Sequence, residues 1–277
     1  MTYLLLIALQ GCFVGDRLDG SGNNNQDNET PDLASWTGVK VDGGCSISQV
    51  SGAEIAAQIG TFTSSDKRVI AAVANDAGYT LLAQDARSGI SADDVQQVAG
   101  SELAGTLSSM DSSGLVVGEV MFNTAGYTLV GQSGALTGSS AVDQVAGSDL
   151  AAAVADMSSN GQVVQSLVFN SSGYTLFGQG DEGDLDSTIE QPGGSDLADT
   201  VDAMSANGFV ITSATATSAG YTLVGQRADQ DASYAGAVVQ ASGSELSTAV
   251  QDMCADGFRI TSLMYNSAGY TLIGQAL

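Results

Sequence analysis

Five tyrosines occupy the same setting in this chain. Tyr79, Tyr127, Tyr174, Tyr221 and Tyr270 each follow Gly and precede Thr-Leu, at intervals of 47 to 49 residues. Equivalent aromatics at a fixed period could line a groove or ring and stack on sugars, so they are the candidate ligand-facing residues. Each also follows a turn glycine, where a cross-strand partner such as Phe169 or Tyr265 would employ it structurally. Other chemistry is scarce. The chain has no His, which excludes Ser-His-Asp and Cys-His nucleophile systems, imidazole acid-base catalysis and the commoner zinc sites. It has no phosphate-binding glycine loop followed by Lys and no dinucleotide fingerprint. A pair of carboxylates could still hydrolyse a glycosidic bond, but Glu54, Glu102, Asp149, Asp196 and Glu245 recur at one place in the repeat as first-turn charges, and no acid stands apart from the pattern. Asp181, Glu182, Asp184 and Asp186 form the strongest Ca²⁺ candidate, although their spacing is not that of a calcium loop. No other cofactor is expected.

Three cysteines remain: Cys12, Cys45 and Cys254. Cys45 and Cys254 are too few for a metal site without His, and they are the candidate disulfide, which would require the two ends of the folded body to meet. Seven Lys plus Arg face 31 Asp plus Glu, a net charge of -24. No basic patch can form, so nucleic acid and anionic membrane surfaces are poor partners. An acidic, Lys-poor surface suits a salty exterior where its self-repulsion is screened.

Tyr3 to Leu9 is an apolar run too short to span a bilayer. With the Leu9-Gln10-Gly11-Cys12 that ends it, the segment resembles the h-region and lipobox of a bacterial lipoprotein signal peptide. The resemblance implies that residues 1–12 are a signal segment, that Cys12 carries the acyl chain (palmitate), and that the protein is lipid-anchored in the cell envelope, at the outer membrane or facing the periplasm. The alternative is an ordinary buried first strand. Residues 13–35 are polar and acidic with almost nothing to bury, and read as a disordered tether that would hold a body clear of a membrane.

Residues 36–277 form one five-repeat domain, with units at approximately 50–85, 100–132, 147–179, 194–226 and 243–275. In the third unit Ser148 and Asp149 open a helix. Leu150, Val154 and Met157 give it one apolar stripe, and Asn160-Gly161 ends it. Val163 to Phe169 reads as a strand, Asn170-Ser171-Ser172-Gly173 as a turn with its Gly at positive φ, and Tyr174 to Gly178 as the returning strand. The first unit departs most, with Ala53 at the capping position and Asp66 for the helix-ending Gly. The connecting segments of about 15 residues fit a short helix or a third strand equally well, and variable linkers on one side of an array are where a binding surface would sit.

The fold class is therefore an α/β tandem repeat of five helix-strand-hairpin-strand units. A closed or strongly curved array is favoured over an open solenoid, because the last unit carries no polar cap and a leading strand at residues 36–42 could pair with it. The junctions Gly208-Phe209-Val210-Ile211-Thr212-Ser213 and Gly257-Phe258-Arg259-Ile260-Thr261-Ser262 resemble the Gly-aromatic-x-Ile/Val-Thr-Ser motif of tandem α/β repeat modules in some multidomain proteins. That resemblance implies a scaffold and no catalytic residues. The sequence thus points to a membrane-tethered, extracytoplasmic, non-catalytic scaffold or protein-binding repeat protein whose partner is a protein or a glycan. A carbohydrate-binding, lectin-like module is the alternative, and a carboxylate-dependent hydrolase stands third.

Overall fold

Each repeat is built from a helix too short to stand alone. The computed structural model describes residues 39–40, 43–75, 77–134, 138–180, 183–228 and 230–277; the expected signal segment, Cys12, the expected tether, Asp181 and Glu182 lie outside these. Five ten-residue helices are present: α1 (Ile55–Ser64), α2 (Leu103–Ser112), α3 (Leu150–Ser159), α4 (Leu197–Ala206) and α5 (Leu246–Ala255). The stripe residues Leu150, Val154 and Met157 of α3 are buried, as are their equivalents in the other helices.

The start of the helix differs from expectation. Ser148 does not cap α3, because its hydroxyl turns to the Asp149 carboxylate and Asp149 takes the N-cap position. In units one and five the acid reaches backwards instead: Glu54 accepts from the amide and hydroxyl of Ser51, and Glu245 from those of Ser242. These Ser side-chain bonds lead the causes that hold both carboxyls below the usual range. Helices α2 to α5 end at glycines with φ of 71° to 82°, and Asp66 takes this left-handed position after α1.

A three-stranded antiparallel sheet accompanies each helix. The strands are β1 (Cys45–Val50), β2 (Lys67–Asn75) and β3 (Gly78–Asp85) in unit one, and β4 (Asp93–Val98), β5 (Leu115–Asn123) and β6 (Gly126–Ser133) in unit two. Unit three has β7 (Ser139–Val145), β8 (Val163–Asn170) and β9 (Gly173–Gly180); unit four has β10 (Asp186–Glu190), β11 (Val210–Thr217) and β12 (Gly220–Arg227); unit five has β13 (Ala235–Ala241), β14 (Arg259–Asn266) and β15 (Gly269–Ala276). The connecting segments thus form strands rather than short helices. In every sheet the Gly-Tyr-Thr-Leu strand is central, flanked by the connecting strand on one side and its hairpin partner on the other.

The motif glycine is fixed by this pairing. At φ of 117° to 141° its backbone runs so close to the connecting strand that a Cβ on Gly173 would lie 2.3 Å from the Val145 carbonyl oxygen, and the other four copies meet the same obstacle. The expected turn corner is therefore also a point of close backbone approach.

The five units close into a ring. Around the axis β2 packs on β5, β5 on β8, β8 on β11, β11 on β14, and β14 on β2. Each helix covers its own sheet and also the connecting strand of the next unit: α1 lies on β4, α2 on β7, α3 on β10, α4 on β13, and α5 returns to β1. The cores follow the same rule. Val130 plugs the core of unit one, Phe177 that of unit two, Val224 that of unit three, Ile273 that of unit four and Leu82 that of unit five. Each plug removes a large side chain from water, worth about 1.5–3 kcal/mol. Of the leading stretch expected to close the ring, Val39 bridges to Ala86 beside unit one; residues 36–38, 41 and 42 lie outside the described residues, and at the seam α5 covers β1.

One polar column stitches the seams. Oε1 of Gln275 accepts the Ile211 amide at 2.7 Å while its Nε2 donates to Ser205 Oγ at 2.7 Å and the Phe209 carbonyl at 2.8 Å. Gln226 and Gln132 repeat this one and three units earlier, with Ser158 and Thr63 as hydroxyl partners. The seam between units five and one departs. There the helix position of Ser205 is Cys254, disulfide-bonded to Cys45 across a separation of 209 residues, and Gln84 retains a 3.6 Å contact to its sulfur. Between units two and three the same two positions hold Asp111 and Ser140, bonded directly at 2.6 Å and 2.9 Å, and Oε1 of Gln179 is left without a partner.

Candidate functional site at the mouth of the axial channel

The repeated tyrosines do not face a ligand. All five are buried, at 3% to 7% exposure, and each hydroxyl crosses a seam. Tyr79 shares a hydrogen bond with Thr128, Tyr127 with Thr175, Tyr174 with Thr222, Tyr221 with Thr271, and Tyr270 with Thr80, which carries the pattern around the ring. The turn asparagine of the receiving unit adds a second bond: Asn123 donates to Tyr79, Asn170 to Tyr127, Asn266 to Tyr221 and Asn75 to Tyr270. The same asparagines accept the amide two residues on with Oδ1, shaping the hairpin turn. A buried tyrosine needs a partner for its hydroxyl, and the repeat supplies one about 48 residues away in sequence. A lectin with five equivalent tyrosine platforms is therefore excluded by their burial.

Exposed aromatic surface lies instead on the cross-strand partners of these tyrosines. Phe122, Phe169 and Tyr265, at 40%, 40% and 41%, are the exposed large hydrophobics among the described residues. Each ring rests 4.9 Å from its motif tyrosine, counted between centroids. Their equivalents in units one and four are Ala74 and Ala216, and all five positions line one axial cavity of ≈ 200 Å³. The mouth of the ring is thus an incomplete aromatic collar. At the opposite ends of the same strands Arg68, Val116, Val163, Val210 and Arg259 are all buried. Arg68 donates to the Ser133 and Gly134 carbonyls, and desolvation holds its guanidinium down at about 10.

Deeper in the cavity the lining turns polar. Every inner strand carries a β-bulge, placed between Val164 and Ser166 in β8 and between Ile260 and Ser262 in β14. A bulge re-aims the residue it contains, here Gln165 and Thr261, both among the lining residues. The next position around the ring reads Ala71, Glu119, Ser166, Ser213 and Ser262. Ser166 uses its hydroxyl to bond both the amide and the carbonyl of Val120 in the preceding inner strand. Glu119 does likewise toward the Ala72 amide. Glu119 is half-buried and lines the cavity, and burial pushes its carboxyl well above the ordinary range despite that amide.

Glu119 escapes a reading that weighs acids by their place in the helix. It becomes visible when the units are aligned on the Asn-x-x-Gly turn, where one carboxylate stands in a column of Ser and Ala. A hydrolytic pair needs a second acid facing the first, and Glu119 is the one Asp or Glu among the residues lining this cavity.

The other candidates are dispersed. Asp186 of the proposed calcium loop is engaged by Arg227 at 3.2 Å and by Gln230. No cluster of three metal-ligating side chains occurs among the described residues. Among them, no helix is long and apolar enough to cross a membrane.

No protein family, curated protein or solved structure matches the chain.

Proposed function

We propose that this protein is a non-catalytic interaction module, held at a bacterial envelope membrane by a lipid on Cys12 and presenting the mouth of its ring to a protein partner. The observation that carries the reading is the convergence of Phe122, Phe169 and Tyr265 on one face. Isolated exposed apolar residues are ordinary, but aromatics gathered at one opening are what an interface core uses. The repeated polar residues support the same view, since Tyr, Thr, Asn and Gln are spent largely on holding units together. The inner strands pack on one another around the axis, so the ring presents such a surface rigidly.

A photo-reactive phenylalanine analogue placed at Phe169 in the full chain, expressed in cells, tests this directly. The expected result is one dominant protein adduct, lost when Phe122→Ser is added and absent when the analogue is placed at Ser108 on an outer helix face. Equal labelling from both positions would sink the reading. For the anchor, Cys12→Ser is expected to remove palmitate labelling and release the protein from the membrane fraction.

A further inference from the structure

The lower part of the axial cavity holds polar groups that the fold leaves unused. Gln165, Thr261 and Ser262 are buried at 7%, 7% and 5% exposure. Gln165 Nε2, Thr261 Oγ1 and Ser262 Oγ have no hydrogen-bond partner in the protein, and all three residues line the cavity into which Glu119 faces. Buried polar atoms without partners are penalised, so a guest that satisfies them is favoured. Its character follows from what surrounds it. Glu119 and Tyr265 are the titratable residues of the lining, so the guest meets a single carboxylate and needs a single positive charge. The unpartnered hydroxyls and the carboxylate can all accept, and an ammonium group brings three donors and no acceptor. The amide of Gln165, turned about its last bond, offers its oxygen to the same group.

Above this cluster stand Phe122, Phe169 and Tyr265, three residues along the strand from the level of Glu119, or about 10 Å. Aromatic faces favour cations and the methylenes attached to them. A hard metal ion seeks six or more oxygens and gains nothing from such a collar. The net charge of -24 raises the local concentration of any cation at the mouth. We propose that the axial cavity binds a primary alkylammonium ion, its charged head on Glu119 and the unpartnered hydroxyls, and its alkyl stem against the aromatic mouth. This goes beyond the interaction-module reading and asks nothing of a macromolecular partner.

Calorimetric titration of the full chain at constant ionic strength tests it, with n-butylammonium, tetramethylammonium and potassium chlorides as probes. Saturable one-to-one binding of n-butylammonium is expected, weaker by about ten-fold or more for the other two, which lack N–H donors. Glu119→Gln and Glu119→Ser should each weaken n-butylammonium to a similar degree. Serine already occupies this position in three units, so the ring is expected to accept it. Independently of any variant, the Gln165 side-chain amide resonances of the wild-type protein should shift on adding n-butylammonium. Absence of saturable binding, equal competition by potassium, unchanged affinity in both variants, or shifts confined to the outer helices would each overturn the proposal.

Discussion

Replacing Gln275 by Met separates the stitching of the ring from its packing. Methionine matches the length and volume of Gln, and the side chain it replaces is fully buried, so the shape of the seam is kept. What disappears is three hydrogen bonds of 2.7 to 2.8 Å. Ser205 still donates to the Val201 carbonyl, so the orphans are the Ile211 amide and the Phe209 carbonyl. At about 1–3 kcal/mol for each of these two buried unsatisfied groups, Gln275→Met should cost about 2–6 kcal/mol. Gln84→Met is the matched control at the closing seam. There the side chain makes one 3.6 Å contact to sulfur and already carries an unpartnered Oε1, so the expected cost is at most about 1 kcal/mol. Urea unfolding followed by far-UV circular dichroism gives both values, with unchanged m for a two-state loss of stability. Equal costs at positions 84 and 275 would refute the reasoning, because burial and volume are alike and only the hydrogen bonds differ.

Cys254→Ser restores at the closing seam the residue that α3 and α4 carry there. By chain entropy alone, opening a loop of 209 residues should cost about 5 kcal/mol, with about 2–4 more typical of measured cases; thermal melts with and without reductant measure it, and the reductant effect should vanish in the variant. Gly173→Ala is expected to destabilise by more than about 2 kcal/mol, whereas Gly105→Ala on the exposed face of α2, where a Cβ meets nothing, should stabilise by about 0.5–1 kcal/mol. Glu119 has its pKa raised in the folded state by burial, so ionisation is penalised there relative to the unfolded chain. Wild-type stability should therefore fall, relative to Glu119→Gln, as pH rises from about 4.5 toward neutrality, and parallel unfolding curves across that range would contradict it.

Much of this architecture is legible in the residues. The 47-residue period and the Leu, Val and Met stripe declare the helix, and Asn170 with Gly173 declares the hairpin, because these are local signals within one unit. The connecting strands were ambiguous for a physical reason: segments such as Ala141 to Val145 cover little core on their own and become strands by pairing with a centre strand some 30 residues later. The tyrosines misled in the same way. Nothing near Tyr127 announces that Thr175 and Asn170 of the next unit will take its hydroxyl, and ring closure alone explains why Tyr270 meets Thr80. Phe169 and Tyr265 of the collar were visible as cross-strand partners, but the exposure of the collar depends on the axis, which exists only once five units have closed.

The way each helix leans on the following sheet also bears on how such a gene can change. In an open solenoid an unequal crossover that drops or adds one repeat leaves every remaining interface intact. Here the same event breaks the circle: with a unit gone, α5 and β1 must meet at a different angle, the cysteines separate, and a helix loses the strand that covers it. Copy number is therefore locked at five while individual units remain free to diverge, which is the condition under which one position in one repeat can become Glu119.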